Sequence, residues 1–462
     1  MHIRSILIKI TLLVCSLPVS SLVHGQSYKA EWPSLDQRPV PAWFSNAKFG
    51  IFIHWGLYSV PSWATDSYAD GFGSNYAEWY WQRLHAKNLK IHPEFVSFHE
   101  RVYGKDFRYP AFASRFTCEM FDASKWANIF KNSGARYVVL TSKHHDGFCL
   151  WPSAQAWNWN SVSIGPGKDL VRSVTDAVRA SGLRMGLYYS LYEWYNPLYL
   201  QDVNKYVDQH MVPQFKDLVT RYQPDILWLD GDWEHPATTW KTDSLSAWLY
   251  NEASNRENVV INDRLGSDVH SKHGSFQTSE YGRNQLSDGK PWEETRGIGQ
   301  SFGYNRNENL ADYATSKQLV HQLIQTVAKG GNFLLNIGPA ADGTIPVIMQ
   351  QRLWDIGRWL DVNGEAIYDT KPWKGNHTLY DSTSTIFYTS HNQHVYAICT
   401  DWQPTIEMAF PSMPASVKLL GIQQPLSFNY RRGRLSINMP TVMPGKLPCE
   451  YAWVLKITEK PY

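Results

Sequence analysis

A chain of 462 residues with a formal net charge of +2 and 19% charged side chains exceeds one ordinary domain and carries no electrostatic footprint for nucleic acid. No run of Lys and Arg points to a lipid surface. The aromatic content is high, 14% with 21 Trp and 26 Tyr; an indole offers a wide apolar face and one donor, which suits a packed core and a stacked sugar ring alike.

Residues 1–25 read as a signal peptide. His2, Arg4 and Lys9 are basic, residues 10–17 are apolar, and Val23-His24-Gly25 offers a cleavage site before Gln26. The apolar run is broken by Ser16, Pro18 and Ser20 and is too short for a membrane span. Cys15 follows Val14, a poor context for lipid attachment. Export to the periplasm or the extracellular space is the expectation. After cleavage Cys118, Cys149, Cys399 and Cys449 remain, far apart and without a CxxC. Zinc-ribbon and redox-motif readings therefore fail, while a Cys399–Cys449 disulfide and free thiols both stay open.

From the Pro-rich entry (Pro33, Pro39, Pro41) to residue 368, short apolar runs alternate with amphipathic stretches. Expected strands are 49–54, 137–142, 185–190, 226–230, 259–263, 276–280, 292–297 and 332–337. Expected helices are 170–181, 203–222, 313–329 and 348–362. In the first, Asp169 caps the N-terminus, Gly182 follows the end, and Leu170, Val171, Val174 and Val178 share a face. Strands alternating with helices imply a parallel sheet, and this number of them an α/β fold, a (β/α)8 TIM-like barrel over 26–368. Over 369–462 the helical period stops. Stretches 384–389, 395–400, 416–420, 434–438 and 451–457 read as a C-terminal antiparallel β-sandwich that braces the barrel.

Chemistry-bearing residues gather where barrel strands end, the face on which such barrels build active sites. These ends are His54-Trp55-Gly56, Lys143-His144-His145-Asp146-Gly147-Phe148, Tyr188-Tyr189-Ser190, Trp228-Leu229-Asp230-Gly231-Asp232, Asn262-Asp263-Arg264 and Glu280-Tyr281. Asp230 follows an apolar strand, and Gly231 lets the backbone turn away to leave space for a substrate. Nucleophile, general base and structural turn cap all fit it. Hydrolysis of a sugar bond needs two carboxyls, about 5–5.5 Å apart in retaining enzymes. Glu280, Glu293 and Asp288 are the candidate partners of Asp230.

His54, His144, His145 and Asp146 suit either a metal or neutral imidazoles bonding sugar hydroxyls. Neighbours on an extended strand point to opposite faces, so a shared ion at His144 and His145 is disfavoured, and no metal is expected. Glu78 and Trp79, in Tyr76-Ala77-Glu78-Trp79-Tyr80, could bind substrate hydroxyls, but spacing alone favours a packed surface helix.

These motifs resemble glycoside hydrolase family 29, the α-L-fucosidases. The likeness runs from Lys48-Phe49-Gly50-Ile51-Phe52-Ile53-His54-Trp55-Gly56 to Asn363-Gly364-Glu365-Ala366-Ile367-Tyr368. Its most specific parts are Lys143 to Phe148, Trp228-Leu229-Asp230-Gly231, and Gly330-Gly331-Asn332-Phe333-Leu334-Leu335-Asn336-Ile337-Gly338-Pro339. The resemblance implies a retaining exo-hydrolase of terminal α-L-fucose on oligosaccharides or glycoconjugates, with no cofactor. It implies Asp230 as nucleophile and His54, Glu78, Trp79, His144, His145, Tyr189, Trp228 and Arg264 as sugar contacts. Glu280 matches the acid/base position, with Glu293 second and read as a support. One departure is Leu265, where the family often has Trp after Asn-Asp-Arg, which puts the shape of the pocket wall in question. Rival readings are a metal-dependent hydrolase using the histidines, an inactive carbohydrate-binding homologue, and an enzyme for α-L-galactosides or other 6-substituted relatives. An inactive homologue would lack nucleophile or acid, and candidates for both are present.

Overall fold

The computed structural model describes residues 27–283, 289–373, 375 and 384–460; the expected signal segment and Asp288 lie outside them. Eight parallel strands build the first domain: β1 Phe49–Ile53, β2 Tyr137–Lys143, β3 Arg184–Ser190, β4 Ile226–Asp230, β5 Val260–Ile261, β6 Gln277–Glu280, β7 Trp292–Gly297 and β8 Asn332–Ile337. They pair in the order β5-β4-β3-β2-β1-β8-β7-β6. A parallel bridge between Asn262 and Phe276 joins the two edges, giving the expected TIM-like barrel. β5 is shorter than its apolar run because the Asn262 side chain takes over the ladder. Its amide accepts from Leu229 N at 3.0 Å and donates to Leu229 O at 2.9 Å.

Side chains alternate across the strands. Ile51, Ile53, Leu140, Leu187, Tyr189, Leu227 and Leu229 pack outward in the large cluster beneath the helices. Phe52, Val139, Tyr188, Ile226, Trp228 and Leu334 fill the barrel interior, with Phe44 and Tyr137 among them. The chemistry at the rim therefore stands on a solid, aromatic-rich plug.

Helices Ala123–Asn132, Leu170–Ala180, Val212–Tyr222, Thr242–Asn251, Ser316–Ala328 and Val347–Asn363 cover the outside. The helix starting at Ser316 is set by a capping box between Thr315 and Gln318, three residues inside the expected start. The expected helix 203–222 is broken into Val203–Tyr206, a π-helical turn Val207–Met211 and Val212–Tyr222. Pro213 has no N–H to continue the ladder, and the wider turn before it absorbs the missing bond. Among the described residues no helix lies between β5 and β6 or between β6 and β7. The outward residues of β7, Trp292, Glu294 and Arg296, are mostly polar and half-buried, so they offer a helix little apolar seat. A groove of about 780 Å³ runs along this outer face.

The second domain has a five-stranded and a three-stranded antiparallel sheet. Thr405–Ala409 and Phe428–Arg431 add strands that the sequence pattern missed. One face of the larger sheet presents Val395, Ala397, Leu455 and Ile457 to the sandwich's own core. Its other face gives Tyr396, Ile398 and Val454 to the barrel's cluster, and Trp359 donates to Ala452 O at 2.9 Å. This is the bracing contact. Cys118, Cys149, Cys399 and Cys449 are all free thiols. Among the described residues no helix is long and apolar enough to cross a membrane.

Candidate active site

A pocket of about 370 Å³ opens at the C-terminal ends of the strands, and His54, Glu78, Trp79, His144, Trp228, Asp230, Arg264 and Glu280 line it. That volume suits a single small ligand.

Asp230 ends β4, and the chain then turns through Gly231 at φ 78°. A Cβ at Gly231 would lie 2.3 Å from the Tyr192 ring, so only glycine makes this turn beside the carboxylate. Asp230 Oδ2 accepts the Tyr188 hydroxyl at 2.8 Å, and Oδ1 accepts Arg264 Nη1 at 2.6 Å. The second fork of the same guanidinium, Nη2, donates to Glu280 Oε2 at 3.2 Å. Arg264 thus spans the two carboxylates while lying 4.6 Å above the Trp228 ring. Burial alone would lower its pKa, but Asp230, Glu280 and Asp232 together hold it above the usual value. Glu280 Oε1 also accepts the Tyr76 hydroxyl at 2.9 Å.

Glu293 is fully buried beneath this layer and is not part of the pocket wall. Its oxygens accept from Trp228 Nε1 at 3.1 Å and from the Tyr137 hydroxyl. Burial raises its carboxyl to about 7, against the lowering effect of those two bonds. Glu293 holds the Trp228 ring from below the pocket. Glu78 is buried at the pocket wall with Gly303 N donating to it at 2.8 Å, and burial raises it to about 7.

Burial keeps the three histidines neutral. His54 Nδ1 lies 2.7 Å from Asn336 Oδ1. The Asn336 amide nitrogen donates to Phe302 O at 2.7 Å, so its oxygen must receive the His54 proton and Nε2 is left as an acceptor. Burial lowers His54 to about 4, and burial lowers both His144 and His145 well below the ordinary range. His144 and His145 do not splay apart as expected. β2 ends at Lys143, and in the turn beyond it the two rings approach to 4.2 Å. His144 Nδ1 and His145 Nε2 are buried without a hydrogen-bond partner. Among the described residues no group of three or more His, Cys, Asp and Glu is placed to hold a metal ion.

Tyr189 and His145 are the two expected sugar contacts absent from the pocket wall. The Tyr189 ring packs outward and its hydroxyl donates to Gln214 Oε1 at 2.9 Å, on the helix side of β3. Tyr188, one position earlier, faces the pocket. His145 is not in the pocket wall itself but sits behind it, its Nε2 3.6 Å from Asp230 Oδ2. Leu265 is fully buried among the outward core residues, so the departure there leaves the pocket wall untouched. Sequence reasoning missed Tyr188, Tyr76, Asn336, Phe302 and Trp233. Tyr188 and Asn336 stand inside stretches already singled out; the remainder reach the site from the connections beyond the strand ends.

Known proteins are similar to this chain over nearly its whole length. The α-L-fucosidase family profile matches residues 16–365, and that of the α-L-fucosidase C-terminal domain matches residues 380–458. An α-L-fucosidase of Branchiostoma floridae is 43% identical over 460 residues, covering 96% of this chain and 99% of that protein. The tissue α-L-fucosidase of Homo sapiens is 41% identical, covering 93% of this chain and 92% of that protein. The crystal structure of Thermotoga maritima α-fucosidase superposes with a TM-score of 0.79 at 38% identity, covering 93% of this chain and 100% of that one. The same enzyme has been crystallised with fucose. With both domains matched and relatives at this identity over nearly the whole chain, the chain belongs to the α-L-fucosidase family of glycoside hydrolases.

Proposed function

We propose that the chain is a retaining exo-α-L-fucosidase that removes terminal α-L-fucose from oligosaccharides or glycoconjugates by double displacement. The observation that carries the reading is the pairing of Asp230 and Glu280 in one pocket on the two arms of Arg264. Asp230 attacks the anomeric carbon as its bond to the leaving oxygen breaks, and Glu280 gives that oxygen its proton. Water then attacks the fucosyl–Asp230 ester, Glu280 takes a proton back, and fucose leaves. His54 Nε2, His144 and Glu78 hold ring hydroxyls, and Trp79 donates to one. Phe52 and Phe302 on the pocket wall suit the methyl group of a 6-deoxy sugar. An N-terminal signal segment, 1–25, would direct the chain to the periplasm or the cell exterior.

Following the first-formed sugar by NMR tests the mechanism. Double displacement releases the α-anomer first; initial β-anomer would mean direct attack by water. The acid/base role has its own test in Glu280→Gln. Activity should survive on fucosides with well-activated leaving groups and collapse on poorly activated ones, whereas equal loss on both would remove Glu280 from the role.

A further inference from the structure

Ser190 closes β3 and is fully buried. Its hydroxyl has a single proton, donated to the Tyr192 carbonyl at 2.7 Å. The same oxygen lies 2.7 Å from His145 Nδ1. With its proton committed, it accepts there, so Nδ1 carries the imidazole proton. A neutral ring protonated at Nδ1 has a bare lone pair at Nε2. That nitrogen is buried, has no partner and sits 3.6 Å from Asp230 Oδ2. Two acceptors face each other, which is unfavourable until a donor enters between them.

We propose that Ser190 is a positioning residue: it locks His145 in the Nδ1–H tautomer, so that Nε2 cannot donate to the nucleophile Asp230. The inference rests on the reading of Asp230 as nucleophile. In the opposite tautomer an N–H would stand beside Oδ2, which already accepts from Tyr188 at 2.8 Å. A second donor to that oxygen would compete with the Tyr188 hydroxyl and draw the carboxylate out of its set orientation.

The test reads the tautomer directly. In protein labelled with 15N histidine, the ring nitrogen bearing the proton is identified by NMR, with the His145 signals assigned by their loss in His145→Asn. Wild type should carry the proton on Nδ1. Ser190→Ala should move it to Nε2 and lower kcat/KM on 4-nitrophenyl α-L-fucoside about 10²-fold, below the full cost of a wrong tautomer in a serine-protease triad. Ser190→Thr, which keeps the hydroxyl, should restore most of the rate and the Nδ1 proton. An Nε2 proton in wild type overturns the proposal even if Ser190→Ala does not fold. So does Ser190→Ala with its proton still on Nδ1, or with the proton moved and the rate unchanged. Asp230→Ala leaves Ser190 in place and should keep the Nδ1 proton. The lock and the nucleophile can therefore fail separately, the first in the spectrum and the second in the kinetics of Asp230→Ala.

Discussion

Tyr188 and Tyr189, consecutive on β3, send their hydroxyls to opposite sides of the barrel wall: Tyr188 to Asp230 Oδ2 at 2.8 Å, Tyr189 to Gln214 Oε1 at 2.9 Å. The inner bond is made to a carboxylate in a buried site, and such bonds contribute about 1.5–3 kcal/mol. Tyr188→Phe should therefore lower kcat/KM about 10- to 100-fold with little change in Tm. Tyr189→Phe should leave kcat/KM nearly unchanged and cost about 1 kcal/mol of stability, because Gln214 loses a donor inside the core. Steady-state kinetics and thermal unfolding of the two variants separate these outcomes, and the reverse pattern would contradict the orientation of the pair.

Arg264 is a planar fork, and its two arms reach Asp230 at 2.6 Å and Glu280 at 3.2 Å. A lysine carries one compact ammonium group and cannot hold both carboxylates in that geometry. Arg264→Lys keeps the charge, so any loss reports geometry. The expected outcome is a fall in kcat of about 10²-fold, a size typical of losing a positioned charge contact in an active site. A variant with wild-type kcat would show that the bridge does not matter to turnover.

Glu293 sets a pH dependence of stability. Burial raises its folded-state pKa from 4.5 to about 7, although Tyr137 and Trp228 both donate to it. A carboxyl raised in this way favours the folded state below about 4.5 and loses that contribution as pH rises through 7, by about 3 kcal/mol in all. Glu293→Gln cannot ionise, and its cost from presenting an amide nitrogen to one of the two donors is independent of pH. The stability of wild type relative to Glu293→Gln, measured by denaturant unfolding, should therefore fall by about 3 kcal/mol between pH 4.5 and pH 8. A flat difference would show that Glu293 is ionised throughout.

Six of the barrel strands were legible because buried parallel strands are continuous apolar runs, as in Ile226-Leu227-Trp228-Leu229, whereas Gln277–Glu280 and Trp292–Gly297 are largely polar. The rim was legible because polar residues sit in register just past those runs. Strand phase was not. Tyr188 and Tyr189 differ only in which way the pleat turns them, and this depends on pairing with β2 and β4. The pairing of His144 with His145 was hidden because the strand rule stops applying at Lys143. Tyr76 and Glu280 are 204 residues apart, and no local pattern could bring them together. The π-helical turn before Pro213 followed from proline chemistry, yet the apolar spacing ran through it and masked the break.

The most direct test of the account is the release of nitrophenol from 4-nitrophenyl α-L-fucoside by wild type and by Asp230→Ala. Wild type should turn the substrate over, and the variant should lose at least about 10³-fold in kcat, the scale on which removing a nucleophile acts. Equal activity in the two proteins would contradict the account, because the nucleophile would then have to be a different carboxylate.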